Sequence, residues 1–208
     1  MNKLFLQPND PLLTKVAKKV PASQIDSPET RENIKQMLEV AYRQQKDKKK
    51  PVMMGLAAPQ IGISKRIILV DLKADGKGRV GDLRVYINPE ITWVSKREGE
   101  WYEGCFSTGR VCGIVKRPIS VKVKASKLQT RSVNSNTHQE WRFKVIEERH
   151  TGYVARIFQH EIDHLNGKVF VDLIKDPNKL HWVLKKEFPL YRNKQAWRTW
   201  PKKCPFER

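Results

Sequence analysis

The chain has 208 residues, enough for one domain with a full hydrophobic core and too few for two ordinary ones. Hydrophobic residues make up 39% and charged residues 30%, which excludes a disordered chain, and no apolar run approaches the roughly 20 residues of a membrane-spanning helix. Lys and Arg number 41 against 22 Asp and Glu, a formal net charge of +19 that attracts polyanions such as RNA, while Cys105, Cys112 and Cys204 cannot build a disulfide framework.

Pro8, Asp10 and Pro11 mark an irregular start, and Leu12, Leu13, Val16, Ala17 and Val20 then recur at helical spacing as far as Pro21, predicting a short helix or turn. The apolar run before Pro8 is too short for a secretory signal, so the chain reads as cytoplasmic, or as an organelle-matrix protein if a transit peptide has been trimmed. Asp26 or Ser27 followed by Pro28 and Glu29 starts a second helix, whose stripe Ile34, Leu38, Ala41 and Tyr42 fades into the lysines at 46–50. Residues 53–63 form a loop of small residues. Arg66 to Leu72 reads as a buried strand and Asp75-Gly76-Lys77-Gly78 as a turn. Further strands are expected over 83–88, 91–95, 119–125 and 140–146, antiparallel with one wet face, as in Val121-Lys122-Val123-Lys124. Thr151 to Asn166 carries helical periodicity through Val154, Ile157, Phe158, Ile162 and Leu165, with Gly167 as its stop, and predicts a buried central helix. From Lys175 onward ten basic residues face three acids, with Trp182, Trp197 and Trp200 interleaved. The fold class is therefore α+β, with antiparallel sheets packed around that helix. A single domain over 1–174 carries a basic, helical C-terminal extension over 175–208.

The central helix contains Gln159-His160-Glu161-Ile162-Asp163-His164, an HExxH sequence. Residues i and i+4 share one helix face, so both imidazoles can bind one metal, and Glu161 lies beside the metal where a carboxylate can take a proton from water. A hydrolytic site needs a third protein ligand. Metzincins place a histidine where this chain has Phe170, which excludes them. Glu187, as in other zincins, and the thiolate of Cys105 both remain candidates for the third ligand.

Three separated segments, Met53-Met54-Gly55-Leu56-Ala57-Ala58-Pro59-Gln60, Glu103-Gly104-Cys105-Phe106-Ser107 and His160 to His164, together resemble the three motifs of peptide deformylases, GxGxAAxQ, EGCLS and HExxH, in the same order. The segments QPNDPLLTKVAKKV and ARIFQHEIDHLNGKVFVDLI are similar to family sequence as well, so the resemblance covers about residues 3–175. It implies an enzyme that removes the formyl group from the N-terminal formylmethionine of nascent polypeptides and releases formate. Cys105, His160 and His164 would hold one divalent metal, Fe2+ first, with Zn2+, Ni2+ or Co2+ as substitutes. Water on that metal would be the nucleophile and Glu161 the general base, then acid. The Gln60 side chain and the Phe106 backbone N–H would stabilise the oxyanion, and Met54, Gly55, Glu103 and Gly104 would line the substrate. Met53 and Phe106 depart from the motif, and Met53 is expected to narrow the cleft or line the methionine pocket. The basic, Trp-bearing tail offers two readings, a C-terminal helix whose tryptophans pack on the core and whose lysines are solvated, or a segment that docks on the ribosome. A zincin-type protease, a peptide-binding relative without activity and a charge-driven RNA binder are the rival readings; no membrane and no sequence-specific nucleic acid is expected as partner.

Overall fold

The computed structural model describes residues 5–7, 10–46, 52–130 and 141–184. Pro28 sits at the first helical position and Ser27 Oγ accepts the Thr30 N–H (3.2 Å), which starts helix α1, Pro28–Lys46. Its buried stripe is Ile34, Met37, Val40 and Ala41; Tyr42, expected on that face, is exposed, and Leu38 is only partly buried.

Beyond α1 the chain forms β1 (Gly55–Ala57), β2 (Ile67–Asp71), β3 (Leu83–Val94), β4 (Glu98–Gly104), β5 (Val111–Pro118), β6 (Ser120–Thr130), β7 (Trp141–Thr151), helix α2 (Gly152–Leu165) and β8 (Leu180–Trp182). All paired strands are antiparallel, in a five-stranded sheet of order β1-β2-β3-β6-β7 and a three-stranded sheet of order β4-β5-β8. β2 is buried along its whole length because both its faces are covered. Ile67 and Leu69 join the cluster formed with α1, while Ile68 and Val70 join the one formed with Ala155, Phe158, Ile162 and Leu165 of α2. The antiparallel α+β class read from the sequence is the class observed.

Several boundaries differ. Leu12 to Val20 holds only a 3-10 turn, Pro11–Thr14, started by the Leu12 N–H on Asp10 Oδ1 (2.9 Å). The chain then runs extended and bridges Val16 to Asn166 and Lys18 to Lys65, so pairing with the main body displaces the helical pattern. The strands expected at 83–88 and 91–95 are one strand, β3, whose ladder with β6 is interrupted between Ile87 and Glu90. The interruption falls where Pro89 lacks an N–H and Asn88 takes a φ of 52°. Asn88 is fixed there because its side chain accepts from Val20 N (2.9 Å) and donates to Val20 O (2.7 Å).

α2 ends as its sequence implies. Gly167 takes a φ of 69°, its N–H reaches His164 O (3.2 Å), and the Lys168 N–H reaches Asp163 O (2.9 Å), a Schellman end. Of the expected helical extension, 175–184 are described, and they form a 3-10 turn, Pro177–Lys179, followed by β8. Asp176 accepts the Asn178 N–H and Pro177 opens the turn, after which β8 pairs with β5. The remainder of the extension, with Trp197 and Trp200, lies outside the described residues. No helix among the described residues is long and apolar enough to cross a membrane.

Candidate metal centre and cleft

The outer strand of each sheet, β1 and β4, contributes to one cleft, and α2 contributes a third wall. Met54 and Gly55 line it from β1 and the residue before it, Tyr102, Glu103 and Gly104 from β4, and Tyr153, Arg156, Ile157, His160 and Glu161 from α2. The α2 residues fall at helical intervals along one face.

Cys105 stands between β4 and a 3-10 turn, Phe106–Thr108, and its Sγ lies 3.2 Å from His164 Nε2. Ligand atoms of Cys105, His160 and His164 lie within 4.8 Å of one another, which fits them around one ion. Two imidazole nitrogens and one thiolate suit a transition metal such as zinc or ferrous iron better than magnesium or calcium. Burial works against the Cys105 thiolate, but the adjoining His164 and His160 outweigh it and hold the thiol well below its ordinary pKa. The third donor is thus predisposed to the charged form that binds metal. Glu187, the other candidate ligand, lies outside the described residues.

Glu103, expected against the substrate, lines the cleft, and its carboxylate is engaged within the protein. Oε1 accepts from Arg117 Nε (2.7 Å) and Arg156 Nη1 (2.7 Å), and Oε2 from Arg117 Nη2 (3.0 Å), with His160 Nδ1 at 3.0 Å. Burial opposes the charge, yet Arg117 and the His160 hydrogen bond hold the carboxyl well below the usual carboxylate range. The carboxylate–imidazole contact fixes the ring of His160 and leaves Nε2 for a metal. Arg117 also reaches Asp163 Oδ2 (2.8 Å), and Arg156 donates to Val115 O (2.9 Å) and Gly99 O (2.7 Å). Arg117, Arg156 and Asp163 are residues of this network that the sequence reading did not single out.

Glu161 is 4% exposed, and its Oε2 has no hydrogen-bond partner among the described residues. Burial pushes its carboxyl up to about 7, against the pull of His160 and His164. A carboxyl of that acidity can both take and return a proton near neutrality. Gln60 accepts the Ala57 N–H on Oε1 (2.7 Å), which turns its amide nitrogen toward Cys105 Sγ (3.1 Å). Phe106 lines the same cleft, and its N–H opens a 3-10 turn, where the turn itself supplies no acceptor.

The polypeptide deformylase family model matches residues 3–180. The chain belongs to the polypeptide deformylase family. Peptide deformylase 1 of Ralstonia nicotianae is 34% identical over 184 residues, 88% of this chain and 93% of that protein. The peptide deformylase of Natranaerobius thermophilus is 38% identical over 164 residues, 79% of this chain and 86% of that protein. The crystal structure of the class I type b peptide deformylase from Acinetobacter baumannii with Met-Ala-Ser bound has a TM-score of 0.68 at 30% identity, covering 82% of this chain and 96% of that one. These relatives put the chain in the same enzyme class, peptide deformylase.

Seen as a deformylase cleft, the site assigns three further residues. Met53 is 1% exposed and packs in the α1 core with Phe5, Leu56 and Leu69, so it neither narrows the cleft nor lines a methionine pocket. Its side chain points to the opposite side of the segment from Met54, as alternation along an extended chain requires. Cys112 lines the cleft from β5 but is only 1% exposed, with the Tyr102 hydroxyl on its sulfur (3.1 Å). Gly55 faces Glu161 directly, as argued below.

Proposed function

We propose that this chain hydrolyses the formyl group from formylmethionyl peptides, with Cys105, His160 and His164 holding one divalent ion, Fe2+ in the cell. The observation that carries the reading is the convergence of the three donors beside a buried carboxylate whose Oε2 has no hydrogen-bond partner among the described residues. Held by these three residues, the ion would supply a water of lowered pKa and a Lewis acid for the formyl carbonyl.

Glu161 takes a proton from the attacking water and returns it to the amine nitrogen as the formyl C–N bond breaks, so formate and a free N-terminal methionine result. The Gln60 amide N–H and the Phe106 N–H meet the oxygen that gains charge; removing one such donor costs about 3 kcal/mol of transition-state stabilisation. Glu103 keeps His160 in its ligating orientation, and Arg117 and Arg156 keep Glu103 charged. Met54, Gly55 and Gly104 offer backbone groups to an extended peptide, as in strand addition.

The reaction is tested by formate release from formyl-Met-Ala-Ser with anaerobically purified enzyme, wild type and Glu161→Gln, alongside metal analysis. The reading requires about one metal per chain in both and loss of formate release in the variant. A metal-loaded wild type that releases no formate sinks it. The substrate would be met as nascent chains leave the ribosome, with the basic residues beyond Leu184 attracted to RNA phosphates. Truncation after Leu184 keeps β8 and should weaken ribosome co-sedimentation; unchanged binding removes the tail from the account.

A further inference from the structure

We propose that Phe5 and Leu6 form a positioning strap that holds both oxyanion donors from behind, the Gln60 side-chain amide and the Phe106 backbone N–H. The inference rests on the role given to those two donors above.

Phe5 is almost fully buried, and its ring stacks on that of Phe106 with centroids 4.8 Å apart and planes 15° from parallel. The next residue, Leu6, donates its N–H to the backbone carbonyl of Gln60 (2.9 Å). Gln60 is therefore gripped twice on its acceptor groups, by Leu6 at the main chain and by Ala57 at Oε1, which holds its Nε2 at the site, where it donates to Cys105 Sγ (3.1 Å) and Ser107 Oγ (3.5 Å). Phe106 follows the ligand Cys105 and opens a turn of three residues, too short to hold itself rigid. Its anchor is its own side chain, which is fixed by the ring of Phe5 and by the rim of the α1 core that Phe5 belongs to. One dipeptide, distant in sequence from both donors, thus reaches each of them. Neither Phe5 nor Leu6 lines the cleft, so the pair acts through Phe106 and Gln60 and not on the substrate.

Donors of this kind work by being placed before charge develops, and a misplacement of about 1 Å can cost about a hundredfold. Loosening the strap should therefore lower kcat while leaving KM and metal content alone.

The test is kcat and KM for formyl-Met-Ala-Ser, with metal stoichiometry and far-UV circular dichroism, on holoenzyme carrying Phe5→Ala, Phe5→Leu, Phe5→Tyr, Phe106→Ala, the Phe5→Ala/Phe106→Ala pair and Gln60→Met. Expected are a kcat about tenfold or more lower in Phe5→Ala, a KM within about twofold of wild type and unchanged metal. Phe5→Tyr should restore kcat, and Phe5→Ala should add little to Phe106→Ala, because the two act through one contact. If Phe5→Ala does not fold, Phe5→Leu decides, since it keeps an apolar group there without the ring. Unchanged kcat in a folded Phe5 variant, a kcat loss that follows metal loss, or fully additive effects would each overturn the strap. Should Gln60→Met lose kcat while the Phe5 variants do not, only the strap fails. If Gln60→Met keeps full kcat, the donor assignment itself fails and the strap with it.

Discussion

A Cβ added to Gly55 would lie 2.5 Å from Glu161 Oε1 and 2.7 Å from Ile157 Cγ2. The residue is not among those with positive φ, so what it provides is room for the Glu161 carboxylate and not an unusual backbone. Gly55→Ala should push Glu161 aside and lower kcat about tenfold or more while the three proposed metal donors, which are not among the three atoms nearest that Cβ, keep their ion. Metal analysis with kcat checks this, and a variant with full kcat would show that Glu161 tolerates the shift. Cys105, His160 and His164 were legible because few residue types bind a transition metal and HExxH puts two of them on one helix face. The duty of Glu103 was not legible. It depends on Arg117 from β5 and Arg156 from α2 arriving at the same carboxylate, and no spacing along the chain encodes that meeting.

Among the elements, α2 and β2 read clearly, the first from its 3.6-residue period and Gly167, the second from an unbroken Ile-Ile-Leu-Val run. β4 and β5 were not anticipated, because Glu98–Gly104 and Val111–Pro118 carry glycines and charges at positions where an isolated strand would carry apolar ones. Their inward charges are satisfied only across elements, as Glu103 and Arg117 satisfy each other. A similar dependence fixes the end of α2. Arg66, at the start of β2, donates to Leu165 O (3.1 Å), Asn166 Oδ1 (2.9 Å) and Pro89 O (3.3 Å) from a buried position. Replacing it by Met keeps the stem but strands these acceptors, at a cost of about 2–3 kcal/mol. Urea unfolding followed by circular dichroism measures this; a loss under about 1 kcal/mol would mean that water takes over the bonds.

The whole molecule is held together at the same place where it would do chemistry. The Glu103 carboxylate joins β4, β5 and α2, and the metal donors join the Cys105 turn to the same helix. Removing the ion should therefore weaken the entire domain. With free metal at about a hundred times its dissociation constant the bound ion contributes about 2.7 kcal/mol. For a domain of this size that is about 5–10 °C of thermal midpoint. Calorimetry of wild type and Cys105→Ser, with and without chelator, tests the link: the wild type should fall by that amount and the variant should be indifferent. Equal midpoints for loaded and stripped wild type would detach the metal from folding.

The distance along the chain between Cys105 and His164, 59 residues, also has a history in time. A ribosome adds about 5–20 residues each second, so the thiol is made about 3–12 s before its histidine partner exists. In that interval it has neither a metal to share with the helix nor a cleft to bury it. A protein proposed to finish the first residue of other emerging chains cannot load its own ion until its chain has emerged as far as His164.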